Sequence, residues 1–230
     1  MRRVVAIGPM PPPLHGMALV HAQTVAGIAA ATTVDVIPVM PGDHARGLRY
    51  HASKIAKVAG AVPRLLAARM RGARALYCAV DAGSGGYYSC LFAGVARLLG
   101  FATFLHHHNY NYLVAPTRPI AWLTRIAGSS ARHVVLCDRM AEDLRVLYPA
   151  VRQTIVASNR IEPFARPDRG ERSDVLRLGL LSNLTREKGV EEFLRIVDQL
   201  RDEGMAVVGR LAGPATTPAL VDEIRRRADD

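Results

Sequence analysis

The sequence predicts an α/β fold built on a parallel sheet, and two observations predict it. Short apolar runs alternate with segments whose apolar residues recur at the helical period, along most of the 230 residues. The runs themselves are near-continuously apolar, the pattern of strands covered on both faces rather than half-solvated ones.

Taken in order, strands are expected at Val4 to Ile7, Val34 to Val39, Ala75 to Val80, Ala102 to Leu105, Val134 to Cys137 and Thr154 to Ala157. Helices are expected between them, centred near residues 24, 56, 92, 122 and 142. This gives a Rossmann-like domain over residues 1–157. Residues 158–173, SNRIEPFARPDRGERS, carry two prolines, a glycine and dense charge without apolar periodicity, and read as a linker. From 174 to 230 a second unit begins with the strand LRLGLL, followed by a helix on which Val190, Phe193, Leu194, Val197 and Leu200 share one face. A further apolar run, AVVGRLAG, and a helical stretch from about Pro218 to Ala228 follow.

Charge is unevenly placed. Residues 1–170 hold 20 Lys and Arg against 8 Asp and Glu, whereas residues 171–230 hold 10 against 12. From His44 to Val80 there is no acidic residue, and the basic residues between Arg46 and Arg74 alternate with Ile55, Val58, Val62, Leu65, Leu66 and Met70. The segment reads as a basic amphipathic helix broken near Gly60 and Pro63. Residues 46–74 are therefore either a surface for an anionic bilayer or a solvated helix face. No aromatic stacking motif or helix-turn-helix signature points to nucleic acid. Cys78, Cys90 and Cys137 lack paired spacing and are expected as buried, reduced thiols of a cytoplasmic protein. No apolar run has the length of a signal peptide core or a membrane span.

Three segments carry candidate chemistry. In GPMPPPLHGM, which follows the first strand, Gly16 permits close approach of backbone to a ligand and His15 stands beside it. The spacing of a dinucleotide fingerprint is absent, which argues against a dehydrogenase or epimerase. In FLHHHNY, His106 and His108 fall on one side of a strand and His107 on the other; two histidines without a third ligand do not make a metal site. In SNLTREKG, Ser182, Asn183 and Lys188 precede a helix whose free N–H groups and dipole favour an anion.

These segments, in order, resemble the retaining, nucleotide-sugar-dependent glycosyltransferases often called family 4, which have the GT-B fold of two Rossmann-like domains. SNLTREKGVEEFL is similar to the opening of that family's C-terminal domain. VVAIGPMPPPLHGMALV, FLHHHNY, ARHVVLCDRMAEDL and TIVASNRIEP are similar to its N-terminal landmarks. The resemblance implies transfer of a sugar from a nucleoside diphosphate sugar to a glycan or lipid-linked acceptor, without a metal or other cofactor. It implies reacting-sugar contacts from His106 or His108, donor contacts from Gly16, Ser182, Asn183 and Lys188, and acceptor contacts from His15, Asn109 and Tyr110. Work in polysaccharide or glycolipid synthesis, at the inner face of the cell membrane, is the accompanying expectation. Two departures stand out. Ser182-Asn183 replaces the family's common Gly-Arg, and the family's paired glutamates fall beyond residue 230, so a truncated member with an incomplete donor pocket is expected. The alternative expectation is a non-catalytic α/β domain that binds nucleotide or membrane.

Overall fold

The computed structural model describes residues 3–12, 16–41, 48–159, 174–213 and 218–228. It divides into two compact units, residues 1–161 and 162–230. The linker expected over 158–173 lies, from residue 160 onward, outside the described residues.

The first unit is a six-stranded, wholly parallel sheet in the order β2-β1-β3-β4-β5-β6. Its strands are β1 (Arg3–Gly8), β2 (Thr33–Pro38), β3 (Ala75–Val80), β4 (Ala102–His107), β5 (Arg132–Val135) and β6 (Gln153–Val156). The helices are α1 (Gly16–Ala31), α2 (Leu48–Met70), α3 (Gly86–Leu98), α4 (Asn111–Val114), α5 (Arg118–Ala127) and α6 (Asp138–Leu147). Only the step from β1 to β2 runs in one direction across the sheet; every later crossover runs in the other. Right-handed crossovers therefore put α1 on one face and α2, α3, α5 and α6 on the opposite face.

The apolar clusters follow this division. Val5, Ile7, Leu76, Cys78, Leu105 and Val135 face the larger helical layer and form the main core with it. Their alternates Val4, Ala6, Tyr77 and Phe104 pack with Val25 and Ile28 of α1. Among the described residues of this unit, α1 is the only helix on that second face, so the sheet is covered there over part of its width.

Three sequence expectations are corrected here. Helix α2 runs unbroken through Gly60 and Pro63. Val58, Ala61, Leu65 and Ala68 lie on one buried face of it, and their burial outweighs the hydrogen bond that Pro63 removes. Strand β5 starts at Arg132 and ends at Val135, earlier than expected, because Cys137 is the N-cap of α6. Cys137 is accordingly exposed, while Cys78 and Cys90 are buried; all three thiols are free.

The basic segment also behaves differently from a freely presented charged face. Lys54 pairs with Asp81 at 2.9 Å, Arg71 with Asp35 at 3.3 Å, and Arg64 and Arg69 donate to the carbonyls of Val36 and Leu99. These cations tie α2 to neighbouring elements. Leu48, Ile55, Leu66 and Met70 of the same helix remain exposed. Among the described residues no helix is long and apolar enough to cross a membrane.

In the second unit, β7 (Leu176–Leu181) and β8 (Val207–Ala212) form a parallel pair, with α7 (Val190–Asp202) between them and α8 (Pro218–Ala228) after them. Leu184, Val190 and Leu220 are its buried apolar centre, with Leu180, Leu194, Leu211 and Ile224 packed around them. Glycine at 209 is required by packing: a Cβ there would stand 2.9 Å from Cγ2 of Val197 on α7.

Candidate functional site

In the first unit the strand order reverses between β1 and β3, and ligands of open α/β sheets bind outside the carboxyl ends of the strands at such a point. Four aromatic side chains meet there. His21 of α1 stacks on Tyr77 of β3, with ring centres 5.3 Å apart; Tyr77 meets His106 of β4 at 5.7 Å; His106 and His108 lie 3.9 Å apart. The strand alternation that assigns His106 and His108 to one side and His107 to the other is thus what the fold displays.

Room for this cluster comes from a missing side chain. A Cβ on Gly8, the last residue of β1, would lie 2.5 Å from Cε1 of His21. The absence of that one carbon lets the imidazole sit fully buried against the end of the strand.

Nδ1 of His106 lies 2.6 Å from the Tyr77 hydroxyl, a buried hydrogen bond that holds the ring in place. Nε2 of His106 is buried without a protein partner.

Neutrality follows from burial. Burial holds His106 down to about 3, with His108 and His21 adding repulsion. His21 is lowered to about 4 by burial and then by His108. His108 is lowered to about 4 by burial, against a smaller opposing effect from the Asn159 side chain. At neutral pH the three rings are uncharged, suited to accept from or donate to hydroxyls and unsuited to hold an anion by charge. Both ring nitrogens of His21 and of His108 are also buried without a hydrogen-bond partner. Unsatisfied buried groups of this kind cost roughly 1–3 kcal/mol each, so their concentration marks a place where something else supplies the partner. Among the described residues, no group of three His, Cys, Asp or Glu side chains is arranged to hold a metal ion.

His107 packs into the main-core side. Its Nδ1 lies 2.9 Å from the Tyr112 hydroxyl and its Nε2 2.9 Å from Nδ1 of His133. The Tyr112 hydroxyl, His107 and His133 thus form a buried hydrogen-bonded row. This buried relay anchors the loop after β4. Within that loop, Asn109 Oδ1 accepts the backbone N–H of Asn111 at 2.8 Å, an Asx turn that starts α4. Tyr110 is exposed and donates to Asp143, which also pairs with Arg139. Gly16 is the first residue of α1, and a Cβ there would meet nothing within 4 Å. His15 lies outside the described residues.

The second unit contains the other candidate loop. Ser182 extends β7, its N–H donating to the carbonyl of Ala212 at 3.1 Å and its hydroxyl to the carbonyl of Asn183 at 3.0 Å. A 3-10 turn over Arg186–Lys188 leads to Gly189, whose φ of 77° is left-handed and redirects the chain into α7. Arg186 is committed to Glu191 at 2.7 Å and to Glu223 at 3.7 Å. Lys188 and Asn183 are exposed beside the start of α7.

Sequence reasoning singled out His106 and His108 but missed His21, Tyr77 and Thr24, which complete the cluster. The available signal was the helical spacing of His21 and Thr24 on α1, i and i+3, together with one tyrosine in the apolar run ALYCAV. Compared with protein-family models and with curated proteins, the chain matches none.

Proposed function

We propose that this chain is a retaining glycosyltransferase of the GT-B, family 4 type, moving a sugar from a nucleoside diphosphate sugar to an acceptor hydroxyl in polysaccharide or glycolipid synthesis. The observation that carries the reading is His106, a buried imidazole with a bare nitrogen at the carboxyl end of β4, beside the switch point of an open parallel sheet. Neutral imidazoles suit a ligand made of hydroxyl groups. With values near 3 and 4, His106 and His108 are too weakly basic to take the acceptor's proton at neutral pH; their role is to orient sugar hydroxyls. In this reading the proton goes to an oxygen of the departing diphosphate as the glycosidic bond forms, so the sugar's stereochemistry is kept.

In the second unit, the loop of Ser182, Asn183 and Lys188 before α7 serves the diphosphate. Lys188 supplies a full positive charge, and the helix start supplies free N–H groups and the positive end of a dipole. Gly16 at the start of α1 serves the ligand of the first unit in the same way, and no cofactor enters the reaction. The exposed Leu48, Ile55, Leu66 and Met70 of α2 support work at a membrane surface on the cytoplasmic side.

Calorimetric titration of the full chain with a panel of uridine, guanosine and adenosine diphosphate sugars tests the reading. At least one should bind saturably, and Lys188→Ala should weaken it about tenfold, the loss of one charge-assisted contact. Failure of every donor in the panel to bind overturns the proposal.

A further inference from the structure

Exposed apolar side chains gather on the outer side of α3 and α5, across the sheet from His21. Tyr87, Leu91 and Leu98 of α3 recur at the helical period and are exposed, Leu98 by 88%. On α5 the exposed residues are Arg118, Trp122 and Arg125. Trp122, 52% exposed, meets the edge of the Tyr87 ring at 5.8 Å, so the two helices present one continuous strip. Two contacts hold them side by side. A Cβ on Gly94 would come within 3.3 Å of Cγ2 of Ile126 on α5, and Arg97 donates to the Ile126 carbonyl at 3.0 Å.

Charge along this strip has one sign. No Asp or Glu occurs between Asp81 and Asp138. Arg118 and Arg125 stand four residues before and three after Trp122, on the same side of α5. Among the described residues neither pairs with a carboxylate, whereas Lys54 and Arg71 do. A second copy of the chain is a poor occupant, because a two-fold contact would press one cationic strip against another with no carboxylate between them. Protruding leucines beside a tryptophan and a tyrosine, flanked by arginines, match in turn the acyl, interfacial and headgroup layers of a bilayer.

We propose that the α3 and α5 strip docks the chain on an anionic lipid bilayer, with Leu91 and Leu98 in the acyl boundary, Tyr87 and Trp122 at the interface and Arg118 and Arg125 against lipid phosphates. Lys54, Arg64, Arg69 and Arg71 are committed within the fold, so the charge that selects an anionic surface comes from α5. This contact rests on the membrane-surface part of the proposed function and gives it a defined face; sugar transfer plays no part in it.

Trp122 is the only tryptophan of the chain, so its fluorescence reports on this strip alone. The full chain is mixed with vesicles of phosphatidylcholine, or of equimolar phosphatidylcholine and phosphatidylglycerol. It should bind the anionic vesicles at least about tenfold more tightly than the neutral ones in cosedimentation. Its emission should move to shorter wavelength and be quenched by lipids brominated along the acyl chain. Arg118→Glu with Arg125→Glu, both at exposed positions, should weaken that binding at least about tenfold, with the thermal midpoint held as the control for folding. Vesicle-bound protein whose Trp122 emission neither shifts nor is quenched places the contact elsewhere, such as α2, and overturns the strip while leaving membrane work standing; no binding to either vesicle overturns both. Equal affinity for neutral vesicles, undiminished binding by the double variant, or a dimer formed without lipid that shifts the Trp122 emission each overturns the inference as well.

Discussion

The Tyr77 hydroxyl and Nδ1 of His106 are hydrogen-bonded across 2.6 Å, and that bond holds the buried ring in one orientation. Tyr77→Phe removes the hydroxyl and leaves Nδ1 buried without a partner. The expected cost is about 1–3 kcal/mol, read as a lowered midpoint in urea unfolding. The more discriminating readout is the tautomer: His106 should pass from one form to a mixture in its nitrogen NMR spectrum. A single unchanged form in the variant contradicts a hydrogen bond that sets the tautomer.

Acid should destabilise the first unit steeply. His21, His106, His108 and His133 are held at about 4, 3, 4 and 4 by burial, and His107 is also lowered well below its ordinary value of 6.5, by burial and then by His133. Above pH 6.5 neither the folded nor the unfolded chain binds protons at these sites, and their stabilising neutrality is fully present. Below 6.5 the unfolded chain takes up protons that the folded chain refuses, so stability falls until the folded histidines titrate near 4 to 3. The combined loss is on the order of several kcal/mol, shared among coupled groups. Thermal midpoints measured from pH 7.5 to 4.5 should be flat at the upper end and drop sharply below about 6; a flat profile to pH 4.5 refutes buried neutral histidines.

Gly8→Ala tests the packing that creates the cluster. Its Cβ would stand 2.5 Å from the ring of His21, and neither β1 nor α1 has slack to give, since Val5, Ala6 and Ile7 are fully buried and Ala18 beside His21 is too. A loss of about 1–3 kcal/mol is expected from overpacking. His21→Ala in the same background should recover much of it, because the shortened side chain vacates the contested space. Additive losses in the double variant would place the strain elsewhere.

Much of this architecture is legible in the residues themselves. Apolar runs such as VVAIG and ALYCAV announce strands because a sheet covered by helices demands apolar residues on both faces. The continuity of α2 was not legible, since Pro63 argues locally for a break and only the buried face of Val58, Ala61, Leu65 and Ala68 holds the helix together. Likewise HHH predicts opposite sides for neighbouring rings, but that His106 bonds Tyr77 and Tyr77 stacks on His21 rests on residues remote in sequence that the β1-β3-β4 order brings together. The spent cations of α2 belong to the same class: Lys54 finds Asp81, and Arg71 finds Asp35, only when the chain has folded.

In the second unit, Gly213 and Lys188 should separate structure from binding at the same loop. Gly213 follows β8 with φ of 139°, and a Cβ there would fall 1.8 Å from the carbonyl oxygen of Ser182. Gly213→Ala therefore has to displace the Ser182 peptide and adopt a backbone conformation that side chains disfavour, for a combined loss of about 2 kcal/mol or more. Donor binding should fall with it, because the peptide that moves is the one that leads into Asn183. Lys188 is exposed, so Lys188→Ala should leave the urea midpoint within about 0.5 kcal/mol of the original stability while weakening the nucleotide sugar. If the lysine variant unfolds as readily as the glycine variant, Lys188 supports the loop's structure, and the diphosphate contact assigned to it is wrong.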